Sequence, residues 1–166
     1  MLSQAQLQAL KADILADPAL ANQPKNADAN TLIAAVYNLT ASPAYWVWRT
    51  AVSRADIYNT LDFEGNSWNW TTYKNQGIAE QNAWTQIFMG DQANFAQPNV
   101  RAGVAAIFTG SGAANAQRDH CLSVGRRQCT RAEKLFAAGL GTSVAPSVMT
   151  FEGALTYQEV ESARDL

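Results

Sequence analysis

With 166 residues the chain has the length of a single domain, enough to bury about two-thirds of the surface its unfolded form exposes. A hydrophobic fraction of 48% with 16% charged residues excludes disorder over most of the length, and a net charge of −2 removes any global electrostatic case for nucleic acid. No apolar run approaches the roughly 20 residues of a membrane span, Met1-Leu-Ser-Gln-Ala-Gln6 lacks the basic stretch and apolar core of a secretory leader, and Cys121 and Cys129 fit reduced cytosolic thiols better than a disulfide framework.

Leu7, Leu10 and Ile14 fall at helical spacing in an Ala- and Gln-rich stretch, which predicts a helix over about 3–16. Asp17-Pro18 ends it, because the residue before proline is pushed out of helical geometry. After a loop over 21–26, a short helix starting near Asp28 or Asn30 runs to Tyr37, with Leu32, Ile33 and Val36 turned inward. Tyr45-Trp-Val-Trp-Arg-Thr-Ala-Val52 is rich in aromatic and β-branched residues, although Ser42-Pro43 before it could cap a helix. Ser53 is a weaker N-cap for a helix holding Ile57, Tyr58 and Leu61. Residues 62–76 mix Gly, Asn and Ser with large aromatics and read as an ordered loop or a short strand.

A helix over 77–89 follows, with Ile78, Trp84, Ile87 and Phe88 on one side and Gly90 as its stop. Pro98-Asn99 opens another, with Val100, Val104, Ile107 and Phe108 on one face. A further helix begins at Ser111 and reaches about Val124. Thr130-Arg-Ala-Glu133 and Thr156-Tyr-Gln-Glu159 are capping boxes, in which a hydroxyl and a carboxylate accept from N–H groups that a first helical turn leaves unpaired. The first opens a helix carrying Leu135 and Phe136 and ended by Gly139 or Gly141. The second opens a last helix over about 157–165, and 147–151 between them is apolar enough for a strand. The expected fold is mainly α: a small bundle of about five to seven helices in one domain, 1–166, with a minor β element in the central and C-terminal segments.

Chemistry-bearing residues are few. The one histidine, His120, is flanked by Asp119 and Cys121, but adjacent residues on a helix point about 100° apart and cannot converge as nucleophile, base and orienter. His120, Cys121 and Cys129 lack the close Cys pairs of zinc sites and a fourth donor. Gly139-Leu-Gly141-Thr142 lacks the lysine and the helix start of a phosphate loop and reads as helix termination. No catalytic set, metal or cofactor is expected. Arg118, Arg126, Arg127, Arg131 and Lys134 form a basic cluster opposed in sequence only by Asp119 and Glu133. A solvated helix face explains it first, and contact with phosphates or an acidic partner is the functional alternative.

Aromatics stand out more. Tyr45, Trp46, Trp48, Tyr58, Phe63, Trp68, Trp70 and Tyr73 make up half of the chain's aromatic residues. Each Trp-x-Trp pair would share one face if extended and diverge in a helix. They read first as the core of a small β element. The functional reading is a subunit interface, where Trp and Tyr supply large rigid area at low entropic cost. Stacking on single-stranded bases is a third reading, weakened by the sparse basic residues there: Arg49, Arg54 and Lys74.

Asn99-Val-Arg-Ala-Gly103 with Ile107-Phe108, then Thr130-Arg-Ala-Glu-Lys-Leu-Phe136, Gly141-Thr142, Phe151-Glu-Gly153 and Tyr157-Gln-Glu-Val160, together with 45–52, resemble a small protein encoded among the structural genes of tailed bacteriophages. In size and helical content the chain is similar to head–tail connector (adaptor) proteins, mainly helical subunits that form a ring under the portal. The resemblance implies a homo-oligomeric ring at the head–tail junction of the virion, assembled in the host cytoplasm. Its partners would be portal and tail proteins, and double-stranded DNA would pass through without specific binding. It carries over no catalytic residues. On that reading 45–76 projects its aromatics to neighbours through Tyr45, Trp46, Trp48, Trp68, Trp70 and Tyr73. Segment 151–166 is a docking tail bearing Phe151 and Tyr157, and Arg118, Arg126, Arg127 and Arg131 are the candidate contacts to an acidic partner or phosphate. The alternatives are a tail-completion or tail-terminator protein, also ring-forming but more β-rich, and a small DNA-binding regulator of the phage.

Overall fold

A computed structural model describes residues 1–110 and 112–166, which fall into two compact units. Unit 1 joins the two ends of the sequence, 1–47 and 128–166, and unit 2 is the continuous stretch 48–127. Ten α-helices and three two-stranded sheets occur among the described residues, so the fold is mainly α.

In unit 1, α1 (Gln4–Ala16) starts where Ser3 Oγ accepts from Gln6 N–H while the Gln6 side chain accepts from Ser3 N–H. Asp17 ends it as expected, and the Asp17 carboxylate caps a second short helix at once, α2 (Pro18–Ala21), by accepting from Ala19 N–H. Asn26 caps α3 (Ala27–Tyr37). Its buried stripe is Ala29, Asn30, Ile33, Ala34 and Tyr37, spaced by three and four. Leu32, expected inward, lies about 100° off that stripe and is 52% exposed.

α9 (Arg131–Leu135) stops at Phe136 rather than at a glycine. The Phe136 carbonyl accepts from both the N–H and the hydroxyl of Thr150, which starts a hairpin-like pairing of β5 (Ala137–Ala138) with β6 (Val148–Met149). Gly139 and Gly141 therefore belong to the connection between these strands, not to a helix end. The strand expected over 147–151 contracts to β6. α10 (Tyr157–Asp165) packs on α3 and α1, burying Val160 and Ala163 against a core with Leu10, Ile14, Ile33 and Tyr37. Arg164 anchors its end on the Gln23 and Pro24 carbonyls and Asn30 Oδ1.

Unit 2 is built around Trp84, Phe88, Phe95, Val104, Phe108 and Cys121. β2 (Val52–Ser53) pairs antiparallel with β3 (Gln92–Ala93), Val52 opposite Ala93. Ser53 is a full capping box with Asp56 and opens α4 (Arg54–Asn59). That helix stops before Leu61, which is 66% exposed rather than inside it. Segment 62–76 is neither a loop throughout nor a strand, because Asn69 accepts from Thr72 N–H and starts α5 (Trp70–Lys74). α6 (Ile78–Ile87) turns Trp84 inward and leaves Ile78, at its first position, 79% exposed. α7 (Pro98–Ile107) and α8 (Gly112–Val124) complete the unit. Ser111, the expected start of α8, lies outside the described residues.

The chain leaves and re-enters unit 1 through β1 (Trp46–Trp48) and β4 (Arg126–Gln128), which pair in a two-stranded sheet. Among the described residues there are ten helices rather than five to seven; α2 and α5, of four and five residues, were not expected, and α4 and α9, which were, are also only about one turn long.

Candidate interaction site

The segment between α4 and α5 turns about one carboxylate. Asp62 accepts from Glu64 N–H at 3.0 Å, Asn66 N–H at 2.7 Å and Asn66 Nδ2 at 3.1 Å, and the Asp62 carbonyl accepts from Gly65 N–H. Gly65 sits at φ +82°, a left-handed conformation that glycine adopts without a Cβ penalty. Burial alone would raise the Asp62 pKa, but these donors, with His120 nearby, hold its carboxyl below the usual aspartate range. With Asp62 turned in, its neighbours turn out: Leu61 is 66% and Phe63 62% exposed. They line a cleft of about 320 Å³ with Val124, Arg49, Arg126 and Arg127.

Trp68 then enters the core, its ring centroid 4.7 Å from Tyr58, 5.1 Å from Trp84 and 5.4 Å from Tyr73. Trp70 leans on the same rings, 4.8 Å from Tyr58 and edge-on to Trp68, and stays 54% exposed. This Trp-x-Trp pair is split between interior and surface because a helix begins inside it. The other pair lies in β1: Trp46 and Trp48 are both half-buried and flank the buried Val47, as a two-residue period requires. The Arg101 guanidinium lies 4.6 Å over the Trp48 ring.

Tyr45 and Tyr73 are half-buried. Tyr45 Oη lies 3.0 Å from the Gly139 carbonyl and 2.7 Å from Ser147 Oγ. Phe151 meets Phe136 edge-on in unit 1, and Tyr157 is exposed on α10, whose inner face packs within its own unit. The surface-facing candidates are thus Trp70 and Tyr157, and Trp68 is core. Leu61 and Ile78 are exposed apolar residues outside the aromatic count, and Phe63, which that count included without naming it as a contact, is exposed beside Leu61. The alternation Leu61-Asp62-Phe63 was the available signal.

The basic cluster is divided between the two units. Arg118, Arg126 and Arg127 belong to unit 2, Arg131 and Lys134 to unit 1. Carboxylates meet most of it: Arg118 pairs with its neighbour Asp119, and distant ones pair with the others, Glu64 with Arg126, and Asp13 and Asp17 with Arg131 at 3.0 and 3.1 Å. Arg131 also lies over the Tyr37 ring, whose hydroxyl donates to Asp13. A cleft of about 540 Å³ in unit 1 runs beside this group between Val36, Leu39 and Leu135, with Lys134 at its side.

His120 does not face solvent. Its side chain is 1% exposed, with Nε2 2.9 Å from the Ile57 carbonyl and Nδ1 3.5 Å from Asp62 Oδ2. Cys121 and Cys129 are buried thiols, and burial pushes the Cys121 thiol far above its ordinary range, which suppresses thiolate chemistry. Among the described residues no group of three His, Cys, Asp or Glu side chains could hold a metal ion, and no helix is long and apolar enough to cross a membrane. No protein-family profile, curated protein or solved structure matches the chain.

Proposed function

We propose that the chain is a virion structural subunit of a tailed phage, a head–tail connector that assembles into a ring between portal and tail and acts by adhesion rather than by chemistry. The observation that carries this reading is the 60–70 segment, in which a hydrogen-bonded Asp62 and a core-bound Trp68 hold Leu61, Phe63 and Trp70 out in solvent. Apolar side chains on a backbone fixed in this way present contact area with little entropy left to lose, as protein interfaces favour. A ring needs unlike faces of identical subunits to meet. The second face in this reading is unit 1, with its apolar cleft and with Phe151 and Tyr157 toward portal or tail. DNA passes without specific contact, in keeping with Arg118, Arg126 and Arg131 each already facing a carboxylate. The same pairing disfavours the DNA-binding alternative, whose affinity would depend steeply on salt.

The test is the mass of the pure protein, alone and mixed with a portal ring, by light scattering and electron microscopy. The protein should associate, and Leu61→Ser with Phe63→Ser should weaken association by at least about tenfold, or 1.4 kcal/mol. Its thermal midpoint should stay nearly unchanged, since both side chains are exposed. A protein that stays single, ignores the portal and is missing from virions would end the reading. Sixfold rings that cap tails would favour the terminator alternative.

A further inference from the structure

His120 occupies a site with a definite proton requirement. The Ile57 carbonyl, left without a helical donor where α4 ends, can only accept, so Nε2 at 2.9 Å must carry a proton. On the other side Nδ1 faces Asp62 Oδ2 at 3.5 Å, and Asp62 is already an acceptor for three hydrogen bonds. A neutral ring with its proton on Nε2 turns a lone pair toward a carboxylate. A neutral ring with its proton on Nδ1 turns one toward the carbonyl. Only the doubly protonated ring turns a donor toward both, and the two side chains are 1% and 0% exposed, so water does not screen the mismatch.

We propose that His120 and Asp62 form a proton-operated latch that fixes the 60–66 loop and with it the outward display of Leu61 and Phe63. With both ring nitrogens protonated, Nδ1 holds Asp62, and Asp62 holds the Glu64 and Asn66 amides. Loss of the Nδ1 proton sets two acceptors against each other, and the loop loosens. Other ionisable groups on the surrounding elements are otherwise engaged: Asp56 on α4 with Arg49, Glu64 of the loop with Arg126 of β4, and Arg118 with Asp119 on the outer side of α8. Tyr58 of α4 accepts from Trp84 Nε1, and the Cys121 thiol stays protonated by burial. Arg54 on α4 is half-buried. The latch acts on association only if the connector reading holds, since that reading makes Leu61 and Phe63 a subunit contact.

As the chain has one histidine, nuclear magnetic resonance of the ¹⁵N-labelled full chain reports its ring nitrogens without ambiguity. At the acid end of the range in which the fold persists, both should be protonated. On raising the pH, the ring should lose one proton, and the Glu64 and Asn66 amide signals should shift with the same midpoint. His120→Gln keeps a donor for Ile57 but cannot titrate, so the loop shifts should vanish. Asp62→Asn keeps the shape without the charge, and its ring should titrate while the loop stays still. A ring with a single proton at every pH where the fold persists would overturn the latch. So would loop amides that ignore the ring, or a pH response of the loop amides that survives in either variant. A loop that follows the ring in a protein that never associates supports the latch and overturns the connector reading.

Discussion

Tyr37 is fully buried, and its hydroxyl donates to Asp13 at 2.5 Å. Burial first, then that hydrogen bond and the Asp13 charge push its pKa far above the ordinary tyrosine value, against the opposing pull of Arg131. A folded-state value above the unfolded one means that the contribution is complete below the unfolded value, about 10, and declines as pH rises beyond it. The alkaline arm of the stability curve should therefore fall above about pH 10, with Tyr37 ionising only as the fold is lost, as followed by near-ultraviolet absorbance. Tyr37→Phe should flatten part of that arm and cost about 1.5 kcal/mol near neutrality, the worth of a hydrogen bond to a charged group.

Gly141 makes a different demand. It sits at φ +66°, and a Cβ there would fall inside the Tyr45 ring, which its hydroxyl contacts tie to Gly139 and Ser147. Gly141→Ala should cost about 2–4 kcal/mol in urea denaturation, from left-handed backbone strain together with overpacking. Combined with Tyr45→Ala, its own increment should shrink to the backbone part, a non-additivity that a double-mutant cycle reads directly.

At the scale of elements, the helices are specified at their starts. Ser3, Ser53, Thr130 and Thr156 each complete a capping box with the residue three positions on. The Thr156 box matters because α10 has nine residues, too few to persist without its cap and its packing on α1 and α3. Thr156→Ala should lower stability by about 1 kcal/mol, and Thr156→Ser should restore most of it, measured by thermal unfolding. The caps were readable because they are local: Thr130 and Thr156 stand three residues before a glutamate, and Asp17-Pro18 stops α1 as it should. One-turn helices such as α5 carry no full period, and strands of two residues such as β2 and β3 pair positions some forty apart, so neither leaves a pattern in sequence. The site was legible only as composition. Trp68 and Trp70 look alike in the chain, and only the start of α5 between them sends one inward and one outward. Asp62 meeting His120, and Asp13 and Asp17 meeting Arg131, depend on chain reversals that no spacing encodes.

For the molecule as a whole, the order of the chain makes the two units unequal. Unit 2 is continuous, and the Arg49 N–H donates to the Gly125 carbonyl near its two ends, which holds them together. Unit 1 is made of two segments whose connection is unit 2 itself. While unit 2 is folded, unit 1 closes a short gap. Once unit 2 unfolds, unit 1 must close a loop of roughly 80 residues, at an entropic cost of about 4 kcal/mol. Loss of unit 2 should therefore weaken unit 1, whereas loss of unit 1 leaves the ends of unit 2 held by its own contacts. Four of the five tryptophans, Trp48, Trp68, Trp70 and Trp84, belong to unit 2, so fluorescence follows that unit and far-ultraviolet circular dichroism follows both. Ile33→Ala in the unit 1 core should cost about 2–5 kcal/mol there and separate the two signals, with the fluorescence midpoint in place. Phe88→Ala in the unit 2 core should move both signals together to lower denaturant. If Ile33→Ala shifts both transitions equally, the chain folds as one cooperative body and this asymmetry is absent.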